Sequence, residues 1–143
     1  PQERLVEIMQ GHDDLPVRWK RALELASAMA DDETVKPGTR YDALRMIAMA
    51  PWETRGPQLV KYLGPAVDAE LQQGAISGLS DMKSPEVAAV LISQLSHFSK
   101  PNRELALDAL LREASRKQAL REAVAARRIA GSDLGETRQQ SLR

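Results

Sequence analysis

Cysteine is absent from the 143 residues, which removes disulfide frameworks, zinc ribbons, thiol catalysis and covalent haem attachment from this chain. Aromatic residues are scarce: two Trp, two Tyr and one Phe, 3% of the whole. The interior must therefore be built from Leu, Ala, Val, Ile and Met, the usual material of helix-on-helix packing. No run approaches the ~18 consecutive apolar residues of a membrane-spanning helix, so no membrane insertion is expected. An excess of either charge is also missing, with 20 Lys+Arg against 20 Asp+Glu, which argues against a polycation for nucleic acid. No basic-then-apolar leader opens the chain, and it is expected to be a piece of a longer protein.

What is present fits a folded module. A hydrophobic content of 43% and a charged content of 28% place the chain among globular proteins rather than disordered ones. Its length suits one domain spanning residues 1–143, with enough buried surface for a real core. Charge is nevertheless uneven. Residues 1–35 hold eight acids and four bases, whereas residues 112–143 hold eight bases and four acids.

Apolar residues recur at the 3.6-residue period almost throughout, and clean alternation is lacking, so the reading is all-α with eight or nine helices and no sheet. Leu5, Val6 and Met9 suit a short first helix stopped at Gly11. A second helix carries Val17, Leu23, Ala26 and Ala30. Asp31 to Thr39, with Pro37-Gly38, reads as a loop, and Thr39 as the cap of a helix to about Ala50. Pro51 and Gly56-Pro57 bound the next gap, before a brief helix around Leu59, Val60 and Leu63. Asp68 can cap a helix carrying Leu71, Ala75, Ile76 and Leu79. Ser84-Pro85-Glu86 opens another through Leu91 and Leu95 to about Phe98. Pro101-Asn102 precedes a helix with Leu105, Leu107 and Leu110. A further stretch, Ala119 to Ile129, ends at Gly131, and Ser132-Asp133 could cap a final helix. The expected core is Leu44, Ile47, Leu63, Ile76, Leu79, Leu91, Leu95, Leu107, Leu110 and Leu120. Gly74 and Gly78 mark places where a neighbouring helix comes close.

One pattern repeats. Ala43-Leu44 with Ile47 matches Ala75-Ile76 with Leu79, and then Ala106-Leu107 with Leu110, at offsets of 32 and 31 residues. Alternate segments follow more loosely, through Leu59-Val60, Val90-Leu91 and Ala119-Leu120. A period near 31 made of two antiparallel helices is the signature of an α-solenoid. The Trp-Leu-Gly-Tyr pattern of tetratricopeptide repeats and the Thr-Pro-Leu-His of ankyrin repeats do not occur.

Three places carry a resemblance. Arg40-Tyr41-Asp42-Ala43-Leu44-Arg45 and Asn102 to Leu111 resemble the second helix of HEAT repeats, "Val-Arg-x-x-Ala-Leu-x-Ala-Leu". Ser84-Pro85-Glu86-Val87-Ala88 is similar to their "Asp-Pro-Glu-Val-Ala" entry. Arg128 to Leu134, followed by Arg138-Gln139-Gln140-Ser141-Leu142, looks like the close of the HEAT-like region in large planctomycete-type proteins. There that region lies between a membrane-bound dehydrogenase-like propeller and a c-type cytochrome domain. The resemblance implies a right-handed superhelix of HEAT- or armadillo-like repeats, about four helix pairs, inside a multidomain redox parent. It also implies a periplasmic or cell-envelope location; without that parent the expectation is cytoplasmic. The Cys-x-x-Cys-His of the cytochrome is absent, so no haem is assigned to this segment.

Chemistry-bearing motifs are few. His12 and His97 lie far apart in sequence; His12-Asp13-Asp14 suits a helix cap, and His97 could satisfy the carbonyls that end a helix. A metal centre needs three or four converging ligands, and none is visible. Gly74-Ala75-Ile76-Ser77-Gly78 falls inside a helix, not at a nucleophile elbow, and phosphate-binding glycine loops are missing. Trp19 and Trp52 read as large plugs between helices. The expectation is therefore no enzyme, no cofactor and no metal, but a scaffold or spacer for flanking domains or another protein. With the Ala-Leu pairs inward, Tyr41, Arg45 and Met49 project together one helical side away. Their equivalents are Gln73, Ser77 and Asp81, then Glu104, Asp108 and Arg112. These form a mixed-polar ridge suited to a protein partner. The alternative is a HEAT-like nucleic-acid-binding protein resembling DNA glycosylases, which the acids Asp81, Glu104 and Asp108 oppose. A HEAT-like tetrapyrrole lyase is a third class that no residue favours.

Overall fold

A computed structural model describes residues 14–143. The expected first helix at Leu5–Met9, its stop at Gly11, and His12-Asp13 lie outside the described residues. Within them the chain is all-α. The α-helices are α1 (Leu15–Asp31), α2 (Pro37–Ile47), α3 (Trp52–Val60), α4 (Ala69–Asp81), α5 (Glu86–Gln94), α6 (Lys100–Leu111), α7 (Ala114–Ala125) and α8 (Glu136–Leu142). Three 3-10 turns, Lys61–Leu63, Leu95–His97 and Gly131–Leu134, join them, and no strand occurs among the described residues.

Local chemistry accounts for several of these ends. The Asp68 carboxylate accepts from the backbone N–H of Glu70 (2.9 Å) and Leu71 (3.4 Å), satisfying two donors that the first turn of α4 leaves without helical partners. Two breaks expected from turn chemistry are instead helical. α2 begins at Pro37, with Lys36 rather than Thr39 as its N-cap; a proline at the first helical position loses no hydrogen bond, because that N–H has no partner anyway. Gly56-Pro57 lies inside α3. An interior proline costs about 3 kcal/mol, but here the helix places Leu59 at the core, and Tyr62 and Leu63 follow in the next turn, all three buried. Gly56 also allows the Trp52 ring to lie against the backbone: a Cβ at position 56 would sit 2.4 Å from ring atoms. The last helix is capped by Gly135, not by Ser132 or Asp133.

α1 packs on α2, α2 on α4 and α4 on α6, while α3 rests on α4, α5 on α7 and α7 on α6. α1, α2, α4 and α6 thus lie side by side in a row. All ten expected core residues are at most 5% exposed. The row is tight at α2 and α4. A Cβ on Gly74 would meet Tyr41 Cδ2 at 2.9 Å and its Cα at 3.2 Å, and one on Gly78 would meet Ala48 Cβ at 2.9 Å and the Leu44 carbonyl oxygen at 3.2 Å. The two glycines are where the helices touch. Trp52 is half-buried against the same core, and Trp19 is half-buried on α1.

Candidate interaction ridge

Polar side chains outside the core fall into three groups. The first caps helix ends. Three residues before each Ala-Leu or Ala-Ile pair stand Arg40, Gln72 and Arg103, at the same offsets of 32 and 31 residues. Each reaches back to the carbonyls that end the preceding helical segment. Arg40 Nε donates to Ala30 O (2.9 Å). Gln72 Nε2 donates to Gly64 O (3.1 Å) and Leu63 O (3.3 Å). Arg103 donates to Leu95 O (3.2 Å) and Phe98 O (3.4 Å). The last carbonyls of a helix have no internal donor, so equivalent residues meet the same need in successive segments.

Arg116 does this for two helices at once. Only 2% exposed, it donates to Ser80 O (2.9 Å) in the last turn of α4 and Met82 O (2.6 Å) just beyond it, and to Ala109 O (3.3 Å) of α6. Its Nε lacks a hydrogen-bond partner, the Glu113 carboxylate standing 3.7 Å away. Burial pushes its guanidinium below the usual arginine value, against a weaker upward pull from Glu113. Asn102, also buried, donates to Ala69 O (3.0 Å) and to Gln72 Oε1 (2.9 Å).

The second group is the ridge. Tyr41, Arg45 and Met49 lie on α2 and just beyond it, Gln73, Ser77 and Asp81 on α4, and Glu104, Asp108 and Arg112 on α6 and just beyond it; all nine are half-buried or exposed. Tyr41 packs on Gly74. Asp81 stands between two rungs, with Arg112 Nη1 at 3.1 Å and Arg45 Nη2 at 3.9 Å. Arg112 also donates to Ser80 Oγ. A groove of about 740 Å³ runs past the C-terminal ends of α2, α4 and α6, with Met46 and Met49 among its apolar walls and Arg45, Asp81, Lys83 and Arg112 among its polar ones.

Glu104 and Asp108 are occupied differently. Arg138 of α8 lies across both, its Nε 3.0 Å and its Nη2 2.8 Å from Asp108 Oδ1, with Nη2 also on Glu104 Oε2. Partial burial alone would lower this guanidinium, but the hydrogen bonds and charges of Asp108 and Glu104 outweigh that and hold it above its ordinary value.

A third polar cluster ties α1 to the turn after α3. The Tyr62 hydroxyl faces both Ala30 O (2.8 Å) and the Asp31 carboxylate, sharing its one proton between them, and Lys61 Nζ stands 3.1 Å from Asp31 Oδ2. Burial would raise the Asp31 carboxyl; hydrogen bonds from Tyr62, Lys61 and Gln58 and the Lys61 charge overcome that and hold it below 3.8. Burial and the bond to Asp31 together push Tyr62 above 10.0.

Nothing in these clusters pairs a nucleophile with a base. His97 is exposed, and its Nδ1 faces Gln94 Oε1 at 3.0 Å rather than a helix-end carbonyl. Ser77 lies within α4. Among the described residues no group of three or more His, Asp or Glu is placed to hold a metal ion, and no helix is long and apolar enough to cross a membrane. Scans against family models, curated proteins and solved structures return no match to this chain.

Sequence reasoning missed Arg40, Gln72, Arg103, Arg116 and Arg138 as the residues that tie helices together. The signal for the first three is their constant position before the small-residue pairs. Arg116 leaves no such mark, because its targets lie in two other elements.

Proposed function

We propose that this chain is a non-catalytic helical-repeat scaffold: a right-handed α-solenoid of HEAT-like repeats that spaces its neighbours in a multidomain parent and offers the α2–α4–α6 ridge to a protein partner. The observation that carries the reading is the recurrence of polar links between residues one period apart. Lys61–Asp31, Arg112–Asp81 and Arg138–Asp108 are separated by 30, 31 and 30 positions. Arg40, Gln72 and Arg103 repeat one capping role at the same period. Stacked repeats contact only their neighbours, so such links are what a solenoid needs to fix its spacing.

The nucleic-acid alternative draws no support from the ridge. Its cations Arg45 and Arg112 share Asp81, whereas duplex binding relies on several Lys or Arg facing phosphates together. The protein is expected to pass through heparin at about 150 mM salt; retention would favour a polyanion partner. The absence of cysteine permits a direct test of the spacer role. Arg18→Cys and Gln118→Cys, labelled with a donor and an acceptor dye, should give one narrow distance distribution by single-molecule energy transfer. A broad distribution in native buffer would refute a rigid spacer.

A further inference from the structure

Two acids of the third rung, Glu104 and Asp108, are bridged by Arg138 of the chain's own last helix while staying partly exposed, and that pairing points to a partner chemistry. α8 has seven residues, and helices shorter than about 12 residues are marginal alone in water. Its closest backbone neighbour is its own Gly131–Leu134 turn. It is joined to that turn by Gly135, whose φ of +76° is one that glycine adopts without the cost a side chain would carry. Few contacts hold it: Arg138 on Glu104 and Asp108, the Leu142 side chain at 8% exposure, Arg121 donating to Leu142 O, and Gln139 donating to Gly131 O.

What α8 leaves behind is an acidic seat. Glu104 and Asp108 are four residues apart on α6, so their carboxylates face the same way and repel unless a cation lies between them. Arg138 is that cation, using one guanidinium against two carboxylates. The Asp81 rung differs, because there one carboxylate already stands between two arginines. A partner reading this face is therefore selected at Glu104 and Asp108, and selected for positive charge.

We propose that Glu104 and Asp108, together with the seat of Leu142 beside Arg121, form a docking site for a basic helix of another protein that carries Arg and Leu four residues apart. α8 occupies the site in cis as a displaceable latch. This rests on the scaffold reading above and assigns a partner to one of its rungs. Tethering gives the latch a local concentration in the millimolar range, so a helix arriving in trans binds weakly until the latch is loosened.

The test uses the full chain and a fluorescein-labelled peptide with the sequence of residues 135–143, read by fluorescence polarisation. Binding to the unaltered protein should be weak. Arg138→Glu should tighten it at least tenfold, because the latch is then repelled from the acidic pair while the pair itself is intact. Adding Asp108→Arg to Arg138→Glu should abolish binding, as should replacing the peptide's arginine by glutamine. Should Arg138→Glu melt without cooperativity, Arg138→Gln serves in its place with the same direction expected. Equal affinity for the unaltered and latch-loosened proteins, or affinity indifferent to Asp108→Arg, would overturn the proposal. Either result leaves the dye-pair distance unaffected, so a failed docking site remains distinguishable from a failed scaffold.

Discussion

Gly78→Ala tests the close approach of α2 and α4, because two opposing effects act at one atom. Alanine in place of glycine within a helix is worth about 1 kcal/mol of helix propensity. Were position 78 open, the substitution would stabilise the protein by that amount. The new Cβ would instead stand 2.9 Å from Ala48 Cβ and 3.2 Å from the Leu44 carbonyl oxygen. Neither atom can swing aside: one is attached directly to the backbone and the other belongs to it. Overpacking of this kind costs roughly 1–3 kcal/mol. Taking about 2 kcal/mol for it, the net is a loss of about 1 kcal/mol, or a fall of about 3 °C in melting temperature for a chain of this size.

Urea unfolding at neutral pH, followed by circular dichroism, measures the loss directly. Ala48→Gly supplies the control. Alone it should destabilise, since it removes a buried methyl; combined with Gly78→Ala it hands that space to the new methyl, and the pair should show a favourable coupling of about 1 kcal/mol. A Gly78→Ala protein more stable than the parent would refute the close approach, and with it the packing of α2 on α4.

Arg116→Ala should cost about 2 kcal/mol in the same assay, because it strands the Met82 carbonyl at about 1–3 kcal/mol for a buried unsatisfied group and leaves the Ser80 and Ala109 carbonyls only their longer bonds from Arg112; a loss under about 0.5 kcal/mol would mean the Met82 carbonyl finds another donor. Arg127→Gly should stabilise by roughly 0.5–1 kcal/mol, since Arg127 holds a φ of +58° after α7, a conformation that costs a side chain and not glycine; unchanged or lowered stability would count against it. Asp31 has a folded pKa below its unfolded value, so its contribution is complete above about pH 4 and fades as pH falls through the folded value. Asp31→Asn should therefore flatten the acid limb of the stability–pH curve, and an unchanged limb between pH 5 and 2 would remove Asp31 from the account.

Much of this architecture is legible in the sequence because helix burial follows a period. Ile76 and Leu107 were placed in the core by spacing alone, and both are at most 1% exposed. Asp68 was readable as a cap because its type and position before an apolar-periodic run leave it little else to do. Gly74 and Gly78 were readable as contact points because glycine at an apolar position within a helix needs a reason, and a neighbouring backbone is one. Pro37 and Pro57 misled because turn chemistry is a local tendency. At Pro37 the helix start has no bond to lose, and at Pro57 the core beyond it compensates. For the candidate ridge, the side of each helix was legible but the partners were not. A sequence states that Asp81 is acidic; it does not state that arginines 36 positions before it and 31 after it converge there.

That convergence changes what the ridge can be asked to do. Exposed ion pairs contribute only about 0–1 kcal/mol each, so Lys61–Asp31, Arg112–Asp81 and Arg138–Asp108 add little stability. What they do supply is register. Each joins an acid to a base one period later, and a slip along the row would bring like charges together while burying the wrong helix face. The same compensation leaves Arg45 and Arg112 committed to Asp81, so charge on most of the ridge serves neighbouring helices before it serves any partner. Among the described residues, it is at the α8 end that two carboxylates share a single, tethered cation. On the docking proposal, recognition by this row of helices would therefore concentrate at Glu104 and Asp108, where displacing one short helix would remove their shared cation and open the seat of Leu142.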